Sequence, residues 1–425
     1  MPENDIYNNK GKYERFKDNL SNILEPVKLN DAKGKKHYYC KNKKNLVYFE
    51  TLMGKFEARD LSFVRRLRLL NQLKLITFAT KKNLKDCDRQ DIDSIMKFMH
   101  ERYKSPKSKA DFVIDIKHIW KQLFPEKDER GQIDETITPY AVRHLSGKID
   151  KSREKAKNDR LSYEEFERIV AYYNNNPKMQ AYLTLALESL GRPQELLYLR
   201  LKDIEFYDNY AKIHLSEHGK EGIGILQCVD SFPYILKWYN SHPLNKDDNA
   251  LLFIGDKSHK QLTPFSINKY LKTACKNISI NKSVTCYSFK RNGVTFRRLA
   301  GESDLEIQHA ARWTSSKQLH TYDKSTQEDA FKLALIRKGI VKDTSPQGRK
   351  RILETKVCSF CDEMVGFSVE ICPKCKHFLD RGKIKAQIES TDKFQQQIQE
   401  LTANQERMES WIKALYEKFG KQETA

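Results

Sequence analysis

No apolar run in this sequence approaches the roughly twenty consecutive residues that a membrane-spanning helix needs. Its opening, MPENDIYNNKGKYERFKDNL, lacks the apolar core of a secretory leader. Neither a dinucleotide-type glycine pattern nor a phosphate-binding glycine loop occurs, which argues against a nucleotide-driven enzyme. Negative charge is in deficit: 77 Lys and Arg face 57 Asp and Glu, for a formal net charge of +20. Such an excess implies attraction to a polyanion, with nucleic acid the leading partner. A membrane surface is the rival, but no basic amphipathic helix with a strong apolar face supports it. Cysteine is sparse, and of nine residues four form two CxxC pairs while five are scattered. That suits a reducing compartment and one metal site better than a disulfide framework, so a cytoplasmic protein is expected.

What is present suggests several folded units in 425 residues. Residues 1–44 are polar and Lys-rich and read as a basic arm, flexible or weakly helical. Residues 45–145 read as a basic helical domain. In DLSFVRRLRLLNQLKLITFAT the apolar positions Leu61, Val64, Leu67, Leu70 and Leu73 recur at helical spacing, with Arg65, Arg66, Arg68 and Lys74 on other faces. Further helices are predicted over 91–104, opening on Asp91, and over 108–123. The charged stretch 146–160 reads as a linker. A mixed domain over 161–342 then opens with a capping box, Ser162 and Glu165. It continues through a hairpin turning at Asp208-Asn209, a third short strand in GIGILQCV, and helices near 231–241, 264–277, 287–300, 304–312, 316–322 and 326–338.

Three segments carry chemistry. In GRPQELLYLRLKDIEF, Pro193 biases Arg192 toward extended backbone at a helix start, beside the positive end of that helix. In EHGKEG, Lys220 occupies a Gly-flanked turn between two predicted strands. The third runs TCYSFKRNGVTFRRLAGESDLEIQHAARWTSSKQLHTYDKS. Taken singly each has a bland reading: a helix junction, a solvated lysine, a half-buried tyrosine. Their order is what informs. It resembles the tyrosine recombinases of the phage-integrase type, in which an arginine, a β-turn lysine and an H-x-x-R helix precede a G-H or G-W pair and a tyrosine. Trp313 lies nine residues before Tyr322, as in that family. His309 and His320 read as packing or surface residues.

The resemblance implies a fold that is mainly α with a small antiparallel sheet, a helical core-binding domain joined to a catalytic domain, and the two closing as a clamp on duplex DNA. It implies Tyr322 as the nucleophile that forms a phosphotyrosine, Arg192 as a phosphate ligand, Lys220 as the acid for the leaving oxygen, and Trp313 as a packing and donor group. The sequence departs from the pattern in the H-x-x-R helix. Tyr287 stands where His is usual and Lys290 where Arg is usual, with Arg291 next. Neighbours on a helix are turned by about 100°, so only one of Lys290 and Arg291 can face the phosphate. No catalytic metal or nucleotide is required. A dimer on each DNA site and a tetramer in the synapse follow from the same resemblance.

Two segments lie beyond this region. Cys358, Cys361, Cys372 and Cys375 form CxxC-x10-CxxC within residues 355–378, a spacing that suits one structural zinc held by four thiolates. Similar ribbons are appended to some archaeal integrase-like proteins. Residues 381–419 read as a coiled-coil helix. Ile384, Phe394, Ile398, Leu401, Met408, Ile412, Leu415 and Phe419 fall on a seam interrupted by Gln387, Thr391 and Gln405. The function expected is site-specific recombination of a mobile element, in integration or excision. The competing readings are a non-catalytic DNA-binding protein on a recombinase scaffold, and a relaxing enzyme of the type IB topoisomerase kind.

Overall fold

The computed structural model describes residues 5–26, 37–148, 158–215, 222–341, 356–358, 360–367, 369–379 and 381–419, with backbone alone for 364, 381–393 and 415–419. Two compact units are resolved, Met1–Lys157 and Asn158–Ala425. Among the described residues no helix is long and apolar enough to cross a membrane.

The first unit is helical: α1 (Asn9–Asp18), α2 (Leu46–Ala58), α3 (Phe63–Ala79), α4 (Arg89–Arg102), α5 (Pro106–Leu123), a hairpin of β1 (Glu126–Lys127) and β2 (Ile133–Asp134), and the single turn α6 (Tyr140–Arg143). Its core joins Phe49, Leu52 and Phe56 of α2 to Leu69, Leu70, Leu73 and Ile76 of α3, Ile92 and Ile95 of α4, and Phe112, Ile116 and Trp120 of α5. The expected stripe on α3 is turned by part of a residue step. Val64 is exposed, and Arg66 takes its place in the buried face. The Arg66 guanidinium lies over the rings of Tyr13 and Phe63 and donates to the Leu61 carbonyl, which compensates its burial. Arg65 and Arg68, each about a third exposed, both bind the fully buried Asp115 of α5. Much of the basic character of this helix therefore neutralises an internal carboxylate.

The segment 1–44, expected to be a flexible or weakly helical arm, is seated on this core over its described part. Tyr13, Leu20, Ile23 and Cys40 are buried in the same core, and the Tyr13 hydroxyl donates to Glu57 at 2.8 Å. A few apolar residues on one narrow face suffice to seat α1, although its surroundings are Lys-rich. Two boundaries also move. Asp88 caps α4, and Asp91 is the third residue of the capping box rather than its start. Ser105 precedes α5, which opens on Pro106.

The second unit contains α7 (Tyr163–Tyr172), α8 (Pro177–Glu188), α9 (Pro193–Leu197), β3 (Ile204–Phe206), β4 (Ala211–Leu215), β5 (Gly224–Cys228), α10 (Phe232–Asn240), α11 (Pro264–Asn277), α12 (Cys286–Leu299), α13 (Asp304–Ala311), α14 (Leu319–Tyr322) and α15 (Gln327–Arg337). Then come β6 (Lys356–Val357), β7 (Met364–Val365) and α16 (Arg381–Phe419). The α8 helix is buried along its whole length and is the hub of the unit. Helix α12 crosses it closely at Gly293, where a Cβ would lie 2.2 Å from the Leu187 carbonyl oxygen. Strands β3, β4 and β5 form an antiparallel meander, with Ile204 opposite Ile213 and Leu215 opposite Gly224. Ala211, Ile213 and Leu215 face inward while Lys212 and His214 face water, as the period of two requires. The Glu188 carboxylate at the end of α8 accepts the backbone N–H groups of Val229, Asp230 and Ser231, fixing the junction of β5 with α10. The architecture is thus mainly α with small antiparallel sheets, as the sequence suggests.

Candidate active site

Tyr322 closes the single turn α14, and the chain beyond it is tied to α12. The Lys324 N–H donates to Thr295 Oγ1 at 2.9 Å, and Arg298 Nε reaches Asp323 Oδ2 at 3.4 Å. The tyrosine packs half-buried on a small core of Leu190, Val294, Ile307, Ala311, Trp313 and Leu319. Its ring centroid is 5.2 Å from that of Trp313, with the planes inclined by 34°. Trp313 is buried, and its Nε1 has no hydrogen-bond partner among the described residues.

Helix α12 brings a cation to this aromatic pair. Lys290 is fully buried, with Nζ 5.4 Å from the Trp313 ring centroid and 5.6 Å from that of Tyr322. Arg291 turns the other way. Its Nε donates to the buried Asp159 Oδ2 at 2.8 Å, and the Ser288 hydroxyl donates to the same oxygen at 2.9 Å. Asn292 adds a bond to the Asp159 carbonyl, so Arg291 and its neighbours fasten the start of the unit to α12. Of the two adjacent cations, Lys290 is the one beside Tyr322. Tyr287 stands one turn earlier than Lys290 on the same helix, half-buried.

Arg192 sits where its proline neighbour dictates, in extended backbone at φ −74° and ψ 148°. It is 5% exposed, and its Nη1 lies 3.5 Å from Glu195 Oε1. The positive helix end expected beside it contributes little, because α9 is a single turn and Glu195 accepts the Arg192 N–H at 2.7 Å. The guanidinium is the positive group at this junction. The same Glu195 carboxylate accepts a bond from Arg312 Nη2 at 2.7 Å. Arg312 was absent from the sequence-derived set, although an Arg-Trp pair stands where the family has Gly-Trp. Lys220 lies outside the described residues. His309 and His320 are exposed.

A surface groove of about 660 Å³, lined in part by Lys272, Lys276, Lys282 and Thr285, contains none of these residues.

Residues 159–329 match the phage integrase family. No curated relative matches the sequence significantly. Among solved structures, the chain is similar to the XerH site-specific recombinase bound to a palindromic difH substrate in a post-cleavage complex, at 14% identity and TM-score 0.53, covering 79% of this chain and 97% of that one. It is similar to the Tn1549 transposon integrase bound to transposon right end DNA, at 12% identity and TM-score 0.52, covering 68% and 98%. A lambda integrase dimer bound to a COC′ core site aligns at 14% identity and TM-score 0.52, covering 66% and 95%. These likenesses establish a tyrosine recombinase fold.

Beyond the integrase domain, the sulfur atoms of Cys358, Cys361, Cys372 and Cys375 all lie within 4.8 Å of one another. Cys358 and Cys375 are 3.4 Å apart and Cys361 and Cys372 3.6 Å. Four thiolates at about 2.3 Å from a tetrahedral zinc would be separated by roughly 3.8 Å, so the cluster fits that ion. Asp362 and Lys376 adopt left-handed backbone in the two knuckles. Phe367 packs against Phe166 of α7 and Tyr234 of α10, seating the knuckles on the unit.

Proposed function

We propose that the integrase domain cuts and rejoins double-stranded DNA at specific sites through a covalent phosphotyrosine at Tyr322. The observation that carries this reading is the meeting of Tyr322, Trp313 and the buried Lys290 ammonium on one face of α12. In the forward step the Tyr322 oxygen forms a bond to the scissile phosphorus, and the bond to the 5′ oxygen breaks. The phenol loses its proton and the departing oxygen gains one, for which Lys220 is the assigned donor. Rejoining is the same step reversed, so bond energy is conserved and no outside energy source is needed. Arg192 binds non-bridging phosphate oxygens, where charge grows in the transition state. Lys290 supplies a point charge where relatives use a planar guanidinium, Tyr287 takes the usual histidine's place, and Trp313 presents its unpaired indole N–H. Arg291 holds Asp159 and acts through the fold.

The biological setting that fits is integration and excision of a mobile element, with a dimer on each site and a tetramer in the synapse. Cys358, Cys361, Cys372 and Cys375 hold one structural zinc per chain; four thiolates leave no open position for chemistry there. The domain arrangement proposed is a DNA-binding helical domain, the integrase domain, a zinc ribbon and a coiled-coil helix.

The test uses a pool of nicked duplexes of randomised sequence, with SDS-resistant adducts recovered and sequenced. Wild-type protein is expected to give adducts at a restricted set of sequences. Tyr322→Phe should give none while binding DNA with nearly unchanged affinity, because one oxygen is lost and no charge. Tight binding without any wild-type adduct would favour a non-catalytic DNA-binding protein. Relaxation of any supercoiled plasmid would favour a topoisomerase-like enzyme.

A further inference from the structure

Arg312 is the C-cap of α13 and adopts φ 57° and ψ 39°, a left-handed conformation that favours glycine. The turn is well made: the Arg312 N–H donates to the His309 carbonyl and the Trp313 N–H to the Gln308 carbonyl. Glycine would make the same turn without strain, so the backbone gives no reason for arginine. The side chain does. Its exposure is 9%, and one nitrogen binds Glu195, itself buried. Nε and Nη1 are also buried and have no hydrogen-bond partner among the described residues. Buried guanidinium N–H groups without acceptors are rare enough to need an explanation.

The path of the side chain is equally specific. Its Cδ passes over Gly224 at the start of β5, where a Cβ would lie only 2.6 Å away. That strand follows Lys220 by four positions in sequence. The first nitrogen shares Glu195 with Arg192, and the next residue along the chain is Trp313, packed on Tyr322. Burial lowers the pKa of the Arg312 guanidinium from its ordinary value, Glu195 raises it, and the charge of Arg192 lowers it again. The two guanidiniums are thus electrostatic neighbours, held together by one carboxylate.

We infer that Arg312 is the second guanidinium of the scissile-phosphate clamp, moved from the H-x-x-R helix, where this chain has Lys290, to the left-handed turn before Trp313. The ligand is a DNA phosphodiester in its pentacoordinate transition state. Arg312 would donate through Nε or Nη1 to a non-bridging oxygen while Nη2 stays on Glu195, with no change in its own bonds. Glu195 is then a positioning residue that sets the spacing of two phosphate ligands. The inference rests on the proposed cutting of DNA by Tyr322, and it explains how a site with Lys290 in the usual second arginine's place keeps a second guanidinium.

The experiment compares wild-type protein with Arg312→Gly and Arg312→Lys on a nicked duplex that the wild type attacks. The scissile position carries either a phosphate or an uncharged methylphosphonate. Arg312→Gly removes the guanidinium and suits the left-handed turn. It is expected to slow adduct formation by about 100- to 1000-fold on phosphate, the cost of one transition-state donor. It should recover most of that loss on the methylphosphonate, where one negative oxygen is gone, and recovery itself shows that the variant folds. Arg312→Lys should fall between. Equal losses on both substrates would make Arg312 only a brace for Glu195 and overturn the inference, as would a wild-type rate on phosphate. If the wild type forms no adduct on any duplex, the proposed function fails and the anion site is read alone. Calorimetric titration with inorganic vanadate should then show binding to the wild type and clearly weaker binding to Arg312→Gly. Equal binding, or none to either, would overturn it.

Discussion

Lys290 and Arg291 are neighbours in sequence, and the turn of about 100° between them divides their work. Lys290 faces two aromatic rings, one of them the tyrosine assigned as nucleophile, whereas Arg291 closes a charge pair with Asp159 inside the fold. Replacing each by alanine therefore separates chemistry from stability. Arg291→Ala leaves Asp159 buried with only neutral donors, a cost of about 3 kcal/mol, and the unfolding midpoint should drop by several degrees. Below that midpoint its adduct yield per folded molecule should stay near wild type. Lys290→Ala should show the reverse, with a folded protein and a large loss of adduct. Calorimetry and the adduct assay on both variants check this, and a shared pattern would mean that the register does not divide the roles. From sequence the two residues were indistinguishable, because the helix phase depends on where α12 begins. Arg312 was harder still to find. Its meaning lies in a backbone conformation and a partner 117 positions away, neither visible in residue spacing.

At the scale of elements, boundaries were legible wherever a cap or a proline marks them. Thr263 and Pro264 open α11, and Ser162 with Glu165 opens α7, each at its expected residue. Legibility failed where apolar residues are few or where charge is buried. Tyr13 seats α1 among lysines, and Arg66 occupies a core face that the pattern assigned to Val64. The cysteine knuckles are the opposite case, since spacing alone specifies them. Each knuckle closes through backbone bonds: Asp362 N–H to the Cys358 carbonyl, Lys376 N–H to the Cys372 carbonyl. So small a unit has little core of its own, and metal binding should supply most of its folding energy. We expect one zinc per chain in protein purified under reducing conditions. Chelation should remove protection from hydrogen exchange at the amides of Cys358, Asp362, Cys372 and Lys376. Amides in α8 and α12 should keep theirs, because the ring contacts of Phe367 among the described residues are to Phe166 of α7 and Tyr234 of α10. Loss of protection throughout α8 would mean that the cysteine knuckles support the rest of the unit.

For the molecule as a whole the open question is how copies meet. A protein with a formal charge of +20 repels itself in solution, and on the function proposed above DNA would draw protomers together. Helix α16 offers a second route. It runs 39 residues, about 58 Å at 1.5 Å per residue. Along its described side chains Phe394, Ile398, Leu401, Met408 and Ile412 are all more than half exposed, so the other described residues do not cover this stretch of the seam. Those five positions step by four, three, seven and four, the spacing of a heptad seam passing through Gln405. A second copy of the same helix would bury them, and Gln405 would limit strength while fixing register. Deleting residues 384–425 should therefore leave zinc content and binding to a single DNA site unchanged while weakening association of the free protein. Sedimentation of full-length and truncated chains without DNA checks this at micromolar concentration. Full-length protein should sediment as a dimer and the truncated chain as a monomer, with the difference persisting at high salt because the seam is apolar. If both sediment as monomers, α16 pairs only within the assembly on DNA, and the copies are brought together by the substrate alone.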